Sequence, residues 1–120
     1  MSTVTLCVAS RDEVSRRAEA AFAGEAQGEH ISFASVELLW SVLNARRWVI
    51  LEAMTGQGPM ALRELARRVG RDVKAVHGDV HALLDAGVLE KDAAGQIVFP
   101  YDAVHVGFTL RAERPTRDAA

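Results

Sequence analysis

The sequence predicts a mainly α-helical α+β fold with a small β wing, and three observations predict it. Leu62, Leu65, Ala66 and Val69 fall at i, i+3, i+4 and i+7, the spacing of one helix face, and Gly70 follows where a left-handed residue ends a helix. A second helical run, 73–86, starts almost at once, with Val73, Val76, Val80, Leu83 and Leu84 expected on its core side and Gly87 as its stop. Two short β-like runs come next, Val88 to Lys91 and Ile97 to Phe99, joined by Ala93-Ala94-Gly95-Gln96. Two short helices with a Gly turn and a following hairpin make a winged helix-turn-helix, a module that usually reads DNA. Around it the sequence adds an N-terminal strand and helix and a C-terminal strand.

Taken from the N-terminus, Thr3 to Val8 alternates, with Val4, Leu6 and Val8 on one face, which reads as a half-buried strand. Cys7 reads as a small buried hydrophobe in that strand. Ser10-Arg11-Asp12-Glu13 has the form of a capping box, opening a thinly apolar helix to about Gly24. Gly24 to His30 is a polar connector and Ile31 to Phe33 is extended. Residues 1–34 are thus expected to form an arm for dimerisation or partner contact, 35–110 the DNA-binding domain, and 111–120 a frayed polar tail.

Ser35 is placed to cap a helix over Val36 to Leu43, and Asn44 a helix over Ala45 to Met54. Both are apolar on more than one side, so both need more burial than one core face supplies. Val104, Val106, Phe108 and Leu110 alternate with polar or small residues, a second amphipathic strand. A winged helix has no slot for either terminal strand, and bare strand edges invite pairing. The two are therefore expected to pair in one sheet, across a two-fold dimer.

Composition narrows the function. With 120 residues the chain is one domain's worth. It has no apolar run near the ~18 to 20 residues of a membrane span, so no membrane partner is expected. No signal pattern opens it, and a single cysteine allows no internal disulfide, so a cytoplasmic protein is the simplest fit. The net charge of −2 hides an uneven distribution. Residues 44–81 carry seven Arg and Lys against four acids, while 1–43 carry three against six and 82–120 four against six. The basic excess lies over the two-helix motif, as a DNA-binding face requires.

In helix 73–86 the outward positions are Lys74, Ala75, His77, Gly78 and His81, with Arg71 and the capping Asp72 at its entrance. A recognition helix presents such N-terminal residues to base edges, where Lys, Arg and His are suited to guanine or phosphate. Arg63 and Arg67 lie on the outer face of the preceding helix, which crosses the backbone. Arg68 is spaced to pair with Glu64. At the wing tip only Lys91 and Gln96 stand among Ala and Gly, a poor minor-groove reader. His77 and His81 have the i, i+4 spacing by which two imidazoles share a metal, but no acid or Cys of evident geometry accompanies them, so no metal or other cofactor is expected. No G-x-S-x-G, phosphate-binding Gly loop or Cys-His pattern is present, and a non-enzyme is expected.

The stretches Ile31-Ser32-Phe33, Arg46-Arg47-Trp48, Arg63 to Lys74, Ala75-Val76-His77 and Pro100-Tyr101 running into Val104 to Phe108 carry a more specific likeness. Over most of its length the chain resembles the MarR-like family of predicted prokaryotic transcriptional regulators with a winged helix-turn-helix. Members are often encoded beside a small toxin as its antitoxin. The resemblance implies a homodimer that binds double-stranded DNA and represses transcription of its own operon, with a cognate toxin protein as a further partner. The alternative it leaves is an antitoxin that neutralises its toxin with little specific DNA binding. Two departures bear on this. Ala61 stands where the family tends to have a capping Ser, and Ala75, Gly78 and His81 replace residues that are usually polar or basic.

Overall fold

The computed structural model describes residues 2–9 and 29–110. The capping box at Ser10, the helix after it, most of the connector up to residue 28 and the tail from residue 111 lie outside the described residues. The fold is α+β, with four helices and two small sheets among the described residues. None of those helices is long and apolar enough to cross a membrane.

β1 (Thr3–Val8) is the centre of a three-stranded parallel sheet, flanked by β2 (Glu29–Phe33) and β5 (Ala103–Gly107). Register places Leu6 between Ile31 and Val106, and Val4 beside Val104, so one face of the sheet is apolar across all three strands. Val4 and Leu6 have no exposed surface and share one core with the helices, so β1 is part of the body of the fold. Cys7 is buried on the opposite face, with Sγ 3.6 Å from Ser32 Oγ. The terminal strands do pair in one sheet, but within one chain and in parallel rather than across a two-fold axis. Ser2 fastens the join: its N–H donates to Asp102 Oδ2 at 3.1 Å, and its carbonyl accepts from Asp102 and Ala103. β5 stops at Gly107, three residues short of the expected strand end at Leu110.

α1 (Val36–Val42) and α2 (Ala45–Met54) begin at the expected caps. Ser35 Oγ accepts from Leu38 N–H at 3.1 Å and Asn44 Oδ1 from Arg47 N–H at 3.0 Å. Leu39, Leu43, Ile50, Leu51 and Met54 are buried, whereas Leu38, Trp40 and Val49 remain exposed. α3 (Leu62–Val69) starts at Ala61 with no side-chain cap, forgoing about 1 kcal/mol. It ends at Gly70 (φ 69°), where Arg71 N–H reaches back to the Ala66 carbonyl at 3.1 Å. Only a residue tolerant of left-handed backbone makes this turn cheaply.

α4 (Val73–Asp85) is capped by Asp72, which accepts from Lys74 N–H at 3.0 Å, and closes at Ala86. Val76, Val80 and Leu83 face the core as the periodicity requires. Val73 does not: it is 38% exposed. It is the first residue of the helix, at the end of the packed face. The hairpin of β3 (Glu90–Lys91) and β4 (Ile97–Val98) is shorter than its sequence suggests, because Val88, Leu89 and Phe99 are drawn into the core instead. Met60, just before α3, exchanges two 2.9 Å backbone hydrogen bonds with Ile97 and so ties the hairpin to the helix pair. Asp92 Oδ1 accepts from the Ala94 and Gln96 amides and orders the tip.

Candidate nucleic-acid interface

The site grows from α4, whose buried residues fix which side is turned outward. Lys74, Ala75, His77, Gly78 and His81 are all exposed, so the five outward positions read from the sequence share one accessible face. The His77 and His81 rings lie 4.2 Å apart, tilted by 45°. No third Asp, Glu, His or Cys joins them as a ligand group among the described residues. No described residue outside the helix's own turns comes within 4 Å of where a Gly78 Cβ would sit, so no described part of the chain needs that glycine to be bare.

Beneath this face lies a charge cluster that the sequence reading missed. Asp79 is 7% exposed, the buried acid of the described chain. Its Oδ1 accepts from Arg47 Nε at 3.0 Å, and Arg71 Nη2 lies 2.9 Å from Oδ2, close but poorly aligned for a hydrogen bond. Arg47 also donates to the carbonyls of Ser41 and Val42 at the end of α1. One guanidinium thereby joins three helices. Burial pushes the Asp79 carboxyl up, but the hydrogen bond from Arg47, the contact with Arg71 and the two positive charges outweigh it and hold the group below the usual range. The signal was present: 79 falls beside 76, 80 and 83 on the inner half of the helix, where an acid requires a partner.

This cluster changes the place of Arg71, expected at the DNA face. Its guanidinium points inward to Asp79, and Nη1 is buried with no hydrogen-bond partner. Arg71 is held as a structural cation. Arg67 and Arg68 both bond Glu64, through Nε to Oε1 at 3.1 Å and Nε to Oε2 at 2.8 Å, and those bonds lower the Glu64 carboxyl. The spacing anticipated the Arg68 pair; Arg67 joins it while staying largely exposed. Arg63, Lys74 and Lys91 are exposed and make no ion pair with another described residue. Lys91 sits on the hairpin beside exposed Glu90, which dilutes its field.

A second exposed feature is apolar. Trp40, Trp48, Val49 and Val106 line a groove of about 540 Å³, open to solvent, whose wall continues through the edge-on contact of Trp40 with Phe108, ring centres 5.8 Å apart. It joins α1, α2 and β5, and no charged side chain lines it.

A search of the curated proteins finds no match to this chain. A family model does match, over residues 42–106, which takes in the end of α1, all of α2, α3 and α4, the hairpin and most of β5. The match covers more than half of the 120 residues, and the chain belongs to that family, HVO_A0114.

Proposed function

We propose that the protein is a DNA-binding transcriptional regulator with a winged helix-turn-helix of the MarR-like kind, a homodimer that represses its own operon in the cytoplasm. The observation that carries the reading is the outward face of α4: five consecutive outward positions, exposed and making no ion pair with another described residue, on a helix fixed from below. α3, the Gly70 turn and α4 supply the helix-turn-helix, and the hairpin tied to Met60 takes the place of the wing. In this reading α4 enters the major groove. Lys74 and the two imidazoles donate to base edges or phosphate, and Ala75 offers a methyl to thymine. Arg63, Arg67 and Lys91 neutralise phosphates and set the register. No bond is made or broken, so the protein acts by occupancy.

Electrophoretic mobility shift with the duplex upstream of its own gene tests this. With four phosphate contacts per protomer, two protomers neutralise about eight, and log K falls against log salt with a slope of about −7. A duplex that is not retarded even at low salt ends the proposal.

A second reading, an antitoxin whose main task is to bind a small toxin, draws on the exposed Leu38, Trp40 and Val49 of α1 and α2. Co-expression with the neighbouring gene product and recovery of a complex would support it, and failure to retain that product would count against it.

A further inference from the structure

We infer that a second copy of this chain docks on the open edge of β5, pairing strand to strand across a two-fold axis so that two three-stranded sheets become one. The two edges of the sheet are unlike. β2, at one edge, carries Glu29, His30 and Ser32 exposed, the polar furnishing that keeps an edge from pairing. β5, at the other, exposes one polar residue, His105, between the half-buried Val104 and Val106, and the apolar alternation runs on through Phe108 and Leu110, three residues past the last one paired with β1. Leu110 is 93% exposed and Trp40 55% exposed. A strand pattern that outlasts its intrachain partner is a pattern for another partner.

Area favours the same conclusion. Trp40, Val49, Phe108 and Leu110 together expose roughly 500 Å² per chain, so a two-fold contact that covers all four removes at most about 1,000 Å² of their surface, and the paired backbone adds to that total, which reaches the lower size of a specific interface. Antiparallel pairing of β5 with itself is the arrangement that presents one patch to both sides and closes at two. With the axis through Gly107, Phe108 of each chain lies opposite Val106 of the other and Leu110 opposite Val104. Each Phe108 then meets the wall of the other groove, where Val106, Trp40 and Trp48 stand.

Sedimentation of the full-length chain at micromolar concentration, without DNA, tests the inference. The expected mass is twice the 13.0 kDa of one chain, and Leu110→Glu is expected to halve it with an unchanged circular dichroism spectrum and thermal midpoint. Hydrogen exchange supplies the independent reading: the β5 amides that point away from β1, and those of Phe108 to Leu110 past the last residue paired with β1, are protected in the wild type and lose protection in Leu110→Glu, while the amides bonded to β1 keep theirs. A wild type that sediments as a monomer overturns the interface. So does a dimer that survives both Leu110→Glu and Phe108→Glu, or a monomer whose β5 amides become protected only with a different protein bound. The outcome separates from the DNA reading: a dimer that leaves DNA unshifted retains this interface and removes the regulator, and a monomer that shifts DNA does the reverse.

Discussion

The outward face of α4 and the apolar face of α1, α2 and β5 are both exposed, but they are supported in opposite ways. Under α4, Asp79 is clasped by Arg47 and Arg71, and Arg47 is in turn bonded to the end of α1. The surface above carries little: one lysine, two imidazoles, an alanine and a glycine. The other face has large aromatic and aliphatic groups and, beyond Gly107, a continued apolar alternation that pairs with no strand among the described residues. The first is a braced platform whose outward surface, proposed above to read DNA, is sparse. The second is a rich surface that awaits a counterpart. Cations that a charge count assigns to DNA are partly spent on holding the platform in place.

The sharpest way to break that comparison is Asp79→Asn. Removing one partner of a buried ion cluster leaves two guanidinium groups poorly compensated, and a loss of about 2 to 4 kcal/mol is expected in denaturant unfolding. The same group sets an acid dependence. Its folded pKa lies below the unfolded one, so its stabilisation is complete above the ordinary carboxylate range near pH 4 and is lost as pH falls through the folded value. The wild type should therefore weaken in acid with a slope that Asp79→Asn lacks. Glu64 shifts in the same direction but lies at the surface, half-buried against two exposed arginines, so high salt screens more of its share than of that of Asp79. An Asp79→Asn protein as stable as wild type would mean that the cluster anchors nothing.

Lys74→Ala probes the reading face without the platform. Affinity for operator DNA should fall roughly fivefold to tenfold and the salt slope by about 1 per protomer, with stability unchanged within about 0.5 kcal/mol. Arg71→Ala should do the opposite, lowering the thermal midpoint first. If the two variants behave alike, the division between platform and reading face is wrong. The smallest effect belongs to Gly78→Ala. The site is open and the helix gains from a side chain there, so stability should rise by about 0.5 to 1 kcal/mol. Should DNA backbone approach α4 at this point, binding falls while stability rises, and titration of the variant against the same duplex separates the two.

Local chemistry was legible in the sequence, and contacts between distant segments were not. Ser35, Asn44, Gly70 and Asp72 each announced a helix boundary because a cap or a left-handed residue acts on its own few neighbours. The outward set on α4 followed from periodicity alone. That Arg71, expected at the DNA face, also pairs with Asp79 was not legible, because the pair depends on how the Gly70 turn and α4 bring the two together, which no spacing encodes. Val73 has the right phase for the core but, as the first residue of α4, it stays 38% exposed. The two terminal strands were visible as strands, yet their parallel, intrachain pairing is a matter of register across nearly the whole chain.

That pairing has a consequence for synthesis. Ser2 bonds to Asp102, a separation of 100 residues, so the centre strand of the sheet is made long before its neighbour β5. On the ribosome β1 must wait with one edge bare while the helices between, whose contacts are mostly short in sequence, have everything they need. The sheet is completed late. Premature encounter of β1 with a strand from another nascent chain is the hazard this order creates, and dilute, cool expression is the condition that favours the native partner.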